Sequence, residues 1–508
     1  MLTPSHSSLD YRHFAPPDEY EGKHRFDPTA SWTAAEERAI IRKCDLKITL
    51  FICICFAALQ LDRGNISSAN SDNFLNDLGL TTADFNNGQS IFYCTFLFAE
   101  LPSQLIGKKL GVERWVPFQM MAWSLVAISQ CKLTNKTGFF ITRALLGILE
   151  GGFIPDAVLM LSYFFTTAEL AIRLSFFWVT LTITTIIQAL LAAAILKLRG
   201  THGWAGWQYL FLIEGLITLA IGATAAVYLP ASPTQTRGGA RGKSGWFTER
   251  EETIIVTRVL RDDPTKSSMH NRQGLTLRDL KKAFGDVDMY PLYLLGLTTY
   301  IGPGTVSAYL SLTIKGLGFS TFHTNLLTIP YNVLNLINNL ALTFLSKKTG
   351  ERTIVASLGS WWQLILIIAI VAIPDSTGAW PKYALLSLYL AYPYAHPILV
   401  GWNSANSGSV RTRSVSASTY NISVQIGSII SSQIYQPHDK PYYHKGNRAI
   451  LGITVFNLVC FLFTKAYLVL RNRSKAARWN ALTREEQDHY LATTTDEGNR
   501  RLDFQFKH

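Results

Sequence analysis

Four charged residues sit inside stretches that otherwise carry almost none. Asp62 and Arg63 are adjacent in LDRGNISSAN, directly after fourteen uncharged residues that begin at Ile48, and Arg143 and Glu150 stand seven residues apart in RALLGILEGGFIP. Two guanidiniums in such a setting can hold a carboxylate or sulfonate by planar, charge-assisted hydrogen bonds, which Arg supplies better than Lys. Two carboxyl groups there can take and release protons, because burial favours the neutral form and a nearby Arg the ionised one. An anion that draws an Arg away from its carboxylate then favours protonation of that carboxylate, which couples anion to proton.

Spacing sets how these groups can face. Helical neighbours lie about 100° apart, so Asp62 and Arg63 serve different surroundings. Asn65 falls on the Asp62 face and Ser67 on the Arg63 face. Arg143 and Glu150 return to one face about 10 Å apart along the axis, lining a wall without pairing. A static ion-pair network that fixes helix packing is the plainer alternative for the same four residues.

The elements that position them are membrane spans. The chain has 508 residues, 48% hydrophobic and 16% charged. A hydrocarbon core about 30 Å thick needs about 20 mostly apolar residues per helix, and such windows recur at 46–69, 84–106, 115–133, 139–163, 172–197, 207–229, 290–312, 323–345, 353–373, 382–402, 414–434 and 449–470. The expectation is an all-α polytopic membrane protein with twelve transmembrane helices in two six-helix halves. Its segments are 1–45, a tail with a short amphipathic helix; 46–229, the first half; 230–289, a central loop; 290–470, the second half; and 471–508, a second tail.

The net charge of +12 does not imply a nucleic-acid partner, because the basic residues gather mainly in alternate loops, as in cytoplasmic loops generally. Lys108, Lys109 and Arg114 follow span 2, Lys347, Lys348 and Arg352 follow span 8, and Arg411 and Arg413 follow span 10, while the loop after span 1 has no Lys or Arg. Both termini are therefore expected in the cytosol, with span 1 as an uncleaved insertion signal. The six cysteines lack metal-ligand spacing, and no metal or cofactor is expected. Asn135 opens an Asn-Lys-Thr sequon in an outer loop and is a glycosylation candidate.

The halves echo each other. IGKKLGVER (Ile106 to Arg114) closes span 2 and LSKKTGER (Leu345 to Arg352) closes span 8, an internal repeat. Thr-x-x-Glu capping boxes begin at Thr33, Thr248 and Thr483. The Pro- and Gly-rich stretch from Pro230 to Gly245 reads as a hinge, followed by a short amphipathic helix.

LDRGNI, ELPSQLIGKKLGVERW, RALLGILEGGFIP, GWQYLFLIEG, FTEREE and GWNSANSGSVRTRSVSAS with YNISVQIGSIISSQIY together resemble the major facilitator superfamily, and within it the anion:cation symporters of the fungal allantoate permease type. The resemblance runs through nearly the whole chain. It implies transport of a small organic anion such as a vitamin carboxylate, ureido acid or sulfonate, with protons, by a monomer in the plasma membrane. Carried over, Arg63 and Arg143 bind the anion, and Asp62 and Glu150 take protons. A latch on the cytoplasmic side is implied for Glu100, Lys108, Lys109, Gly111 and Arg114. Two positions depart from the family pattern, Gln208 after Gly-Trp and Asp156 after the span 4 proline. Glu214, near the outer end of span 6, could simply be hydrated.

The second half offers polar faces in place of charges. Thr328, Asn332, Asn335 and Asn339 share one helical face in span 8, and a Ser/Asn/Gln stripe runs along span 11. Interhelical hydrogen bonding accounts for the span 11 stripe. Asn332, Asn335, Tyr392 and His396 are candidates to line a cavity and contact the neutral part of a substrate, with His396 also a candidate proton group. A membrane-embedded enzyme finds no support, since none of the hydrolase, zinc or P-loop motifs occurs. A transporter-like nutrient sensor, or an exporter or uniporter of an organic acid, would share this sequence pattern.

Overall fold

The computed structural model describes residues 16–18, 20–263, 266, 285–407, 410–494 and 498–508. The side chains of Lys108, Arg411, Arg413 and Ser414, together with Lys282, lie outside the described residues. Twelve helical passes follow the apolar windows. Span 1 is Leu50–Asn70, span 2 Thr82–Leu110, span 3 Val112–Ser129, span 5 Thr167–Ile195 and span 6 Gly206–Tyr228. Span 4 is made of Lys136–Glu150 and Phe153–Ser162. In the second half, span 9 is Thr353–Ala372, span 11 Val410–Ser432 and span 12 His444–Asn480. Spans 7, 8 and 10 are interrupted: Tyr290–Thr298 with Ile301–Gly316, Thr321–Leu326 with Ile329–Thr349, and Ala379–Leu390 with His396–Asn406. Spans 1, 4, 5, 6, 9 and 12 are long and apolar enough by themselves to cross a membrane. The others are more polar, shorter or broken, and take their place through packing.

Local chemistry explains the ends. All three Thr-x-x-Glu boxes are formed in both directions, at Thr33 with Glu36, Thr248 with Glu251 and Thr483 with Glu486. Arg250 and the Thr33 backbone hold the Glu36 carboxyl down to about 2. The repeat is also structural. Gly111 and Gly350 end spans 2 and 8 with φ of 93° and 70°, and each donates its N–H to the carbonyl four residues back, at 2.9 and 3.0 Å. Only glycine adopts that backbone without strain. Asn135 caps span 4, its Oδ1 accepting from Gly138 N–H at 2.8 Å, and it is exposed. Gln208 is explained the same way: Oε1 accepts from Ala205 N–H at the start of span 6, and Nε2 donates to the Cys131 carbonyl, both at 2.8 Å.

Close packing of span 4 on span 2 brings the charges together. A Cβ on Gly147 would lie 2.4 Å from the Phe92 carbonyl, one on Gly151 2.7 Å from the Phe96 carbonyl, and one on Gly152 1.7 Å from Ser103 Oγ. Small residues let two backbones approach, the usual basis of helix contact in lipid. The halves meet along spans 2 and 11, 5 and 8, and 1 and 7.

The helix Glu249–Asp262 of the central segment is clamped to the first half: Arg258 donates to Glu169 at 2.7 Å and to the Phe164 carbonyl at 2.9 Å, and Lys43 pairs with Glu251 at 2.9 Å. The chain's final residues fold onto the second half, where Trp402 and Asn406 donate to the Lys507 carbonyl at 2.7 and 2.9 Å.

Candidate functional site

Asp62 and Arg63 do face apart, and the structure shows what each meets. Arg63 Nε donates to Glu150 Oε2 at 2.7 Å, and its guanidinium lies 4.6 Å from the Phe96 ring centre and 5.8 Å from that of Phe92. Asp62 points the other way and is fully buried, with Trp123 Nε1 of span 3 donating to its Oδ2 at 3.1 Å.

Arg143 is 3% exposed, lies 4.4 Å from the Phe92 ring centre and donates to Gln89 Oε1 at 2.5 Å. It makes no hydrogen bond with Glu150, as their spacing on one helix required. The two guanidiniums thus share the ring of Phe92, with Glu150 the carboxylate hydrogen-bonded to one of them. Arg63 Nη2 and Arg143 Nε have no hydrogen-bond partner, and neither has Glu150 Oε1. Two cations held this close, with donors unspent, form a site for an anion with two or more oxygens.

Glu100 stands apart from the loop after span 2: it is 7% exposed, Asn421 Nδ2 of span 11 reaches both its oxygens at 2.7 Å, and Arg63 acts on it electrostatically. It therefore links the halves beside the charged cluster. Of the expected latch, Lys109 and Arg114 are exposed, and the nearest carboxylate to Arg114 is Glu113, 3.7 Å away. Gly111 shapes the turn.

Glu214 is the residue that sequence reasoning underrated. Far from hydrated, it is fully buried within electrostatic reach of Asp62. Its signal was a lone carboxylate eight residues inside an apolar helix. Asp156, also buried, lies against span 2, where a Cβ on Gly107 would be 3.0 Å from its carboxylate.

In the second half, His396 centres an aromatic cluster. Its ring lies 4.6 Å from Trp178 of span 5, 5.4 Å from Tyr300, 5.6 Å from Tyr394 and 5.9 Å from Tyr420, centre to centre, and its Nδ1 has no hydrogen-bond partner. Trp178, Tyr394 and Tyr420 were not singled out from sequence. Their signal is visible only once the break in span 10 turns the 391–395 segment inward. Tyr392 is buried beside Tyr394, with ring centres 6.1 Å apart.

Asn335 meets the break in span 10. Its Nδ2 donates to the carbonyls of Leu390 and Tyr392 at 3.3 and 2.8 Å, while Asn338 donates to that of Ala391 at 2.7 Å. A broken helix frees carbonyls that lipid cannot satisfy, and these amides satisfy them. Asn335 thus supports the break with its amide hydrogens. Asn332 donates to the Thr328 carbonyl of its own helix at 2.8 Å and is buried beside Tyr331.

The described hydrogen bonds between halves gather at mid-depth and at the end of the bundle away from the termini. There Asn86 donates to the Tyr435 carbonyl at 2.7 Å and meets the Tyr309 hydroxyl, Ser90 meets Ser432 at 2.8 Å, and Lys315 donates to the Ser71 carbonyl at 2.7 Å. That end is closed. A separate cavity of about 240 Å³ lies wholly in the second half, between Leu310, Ile370, Leu386 and Tyr442, away from the charged cluster.

Comparison with known proteins agrees with this architecture. Residues 52–432 match the model of the Major Facilitator Superfamily. An uncharacterized transporter of Saccharomyces cerevisiae is 46% identical over 96% of this chain and 90% of its own. An Agrobacterium vitis protein provisionally named a tartrate transporter is 25% identical over 73% of this chain and 87% of its own. Among solved structures, the xylose transporter XylE of E. coli superposes with a TM-score of 0.62 at 14% identity, covering 83% of this chain and 97% of that one. The chain is thus a multi-pass membrane transporter and belongs to the major facilitator superfamily.

Proposed function

We propose that the protein is a secondary active transporter that carries a small organic anion together with protons, and that it belongs to the anion:cation symporters of the allantoate permease type. The observation that carries this reading is the part-buried Arg63–Glu150 pair at 2.7 Å with Arg143 against the same ring, that of Phe92. Its relative provisionally named for tartrate transport supports an anionic substrate.

An anion entering between Arg63 and Arg143 competes with Glu150 for Arg63. Once Glu150 loses its cation it is an uncompensated buried charge, which costs several kcal/mol, and a proton removes that charge. Anion and proton then occupy the site together, and the loaded halves can rock. Asp62, held by Trp123, is the second proton group. Asn332, Tyr392 and His396 contact the neutral part of the substrate, and the His396 cluster closes the site from the second half. With the far end closed, the described arrangement faces the cytosol. Both termini are cytoplasmic, the protein acts as a monomer in the plasma membrane, and the two halves, 46–229 and 290–470, move about the central loop 230–289.

The test is a competition uptake panel of carboxylates, ureido acids and sulfonates at acid and neutral pH, in cells and in liposomes. Uptake stimulated by acid, with the stimulation lost in Asp62→Asn or Glu150→Gln, is the expected result. Acid stimulation retained in both variants would sink the assignment.

A further inference from the structure

Span 6 carries a carboxyl group that this cycle leaves idle. Glu214 is fully buried, and neither of its oxygens has a hydrogen-bond partner. Span 3 packs against this region with Ser124 and Ile128, which a Cβ on the adjoining Gly215 would approach to 3.3 and 2.7 Å, and the Ser124 hydroxyl is spent on the Met121 carbonyl. Neither is charged or titratable. Span 1 packs against it with Asp62, and among the described residues Asp62 is the one charged group that acts on Glu214.

Asp62 in turn keeps Oδ1 without a hydrogen-bond partner, with Thr218 of span 6 beside it and Glu150 acting on it from span 4. Span 1 packs on span 6, and electrostatic influence links the acids of spans 6, 1 and 4 in a row, Glu214 to Asp62 to Glu150, with Arg63 hydrogen-bonded to the last of them.

A buried carboxylate with no cation costs several kcal/mol, and two neighbouring carboxylates do not both ionise. The row resolves this only if its cation-free end holds a proton. We infer that Glu214 is a proton-binding residue of the transport cycle, paired with Asp62 between spans 1 and 6 and loaded while Arg63 holds Glu150. The inference rests on the proposed proton-coupled cycle and adds to its proton groups, Glu150 and Asp62, a third on span 6. Opening the far end admits water to the pair. The O–H bond then breaks with its electrons left on the carboxylate, and the proton passes to water as hydronium.

The experiment uses the full chain in liposomes with protons as the only probe. Infrared difference spectra between acid and alkaline buffer should show a carbonyl stretch of protonated carboxylic acid that is diminished in Glu214→Gln, retained but displaced in Glu214→Asp, and shifted in Asp62→Asn. A band unchanged in Glu214→Gln, or a Glu214 proton so permanent that it gives no difference band, overturns the inference. Should Glu214→Gln not fold, Asp62→Asn decides: it leaves Glu214 in place, and an unshifted band is equally fatal. The parent cycle fails separately, through acid stimulation of uptake that survives in both Asp62→Asn and Glu150→Gln.

Discussion

The two halves solve the same burial problem in opposite ways. In the first half unbroken or nearly unbroken helices carry full charges, and the charges are satisfied by each other and by aromatic faces: Arg63 on Glu150, Arg143 on Gln89, and both on Phe92. In the second half the helices themselves are broken, and the freed backbone carbonyls are satisfied by amides such as Asn335 and Asn338. Polarity enters as side-chain charge in one half and as exposed backbone with aromatic hydroxyls in the other. A charge recognises a charge and responds to protons, whereas a broken helix with rings around it recognises shape. Under the proposed function, coupling falls to the first half and selectivity to the second.

Arg63→Ala and Arg143→Ala test this division most severely. Arg63→Ala strips the buried Glu150 of its paired cation, a loss of about 3–5 kcal/mol, and Arg143→Ala removes the second cation proposed to hold the anion, so uptake should fall by roughly hundredfold or more in each. Uptake within a few-fold of wild type would break the contrast outright. The milder Arg143→Lys should cost about tenfold, because a point charge replaces a planar fork.

Glu150→Gln sharpens the coupling side. It leaves the shape of the site and frees Arg63, so counterflow exchange of the anion should persist while acid stimulation of net uptake disappears. A pH profile that keeps its acid limb would separate Glu150 from the proton.

Gly152→Leu asks whether close approach of spans 2 and 4 assembles the charges. Its side chain must displace Ser103, an overpacking worth about 1–3 kcal/mol. The thermal midpoint of the purified protein should drop together with uptake.

The smallest effects belong to the second half. Asn332→Ala and Tyr392→Phe should change preference among competing anions by no more than about tenfold, with the pH profile intact; equal loss of both properties would count against a division of labour. Asn335→Ala should behave differently from these, lowering stability by about 1–3 kcal/mol for its stranded carbonyls while preference stays put.

Much of this was legible in the chain. Length, hydropathy and basic loops gave twelve spans in two halves, the Thr-x-x-Glu boxes formed as written, and the repeated Lys-Lys-x-Gly ended two helices with a glycine at positive φ. The opposed facing of Asp62 and Arg63 followed from helical periodicity alone. Partners did not follow. Nothing local tells Glu150 to choose Arg63, sets Glu100 against Asn421, or buries Glu214 within electrostatic reach of Asp62. These depend on which helix lies beside which, at what depth.

The sequence by itself determined the periodic facts: where the chain is apolar enough to enter lipid, which faces of each helix are polar, and which residues cap the ends. Such facts are set by interactions within a few residues of one another. Only the tertiary structure decided which charges meet, because the Arg63–Glu150 pair is made by side chains 87 residues apart, on spans whose neighbours no local interaction selects. It also decided that Asn335 and Asn338 of span 8 serve a broken backbone, since that break exists only where span 10 turns against them.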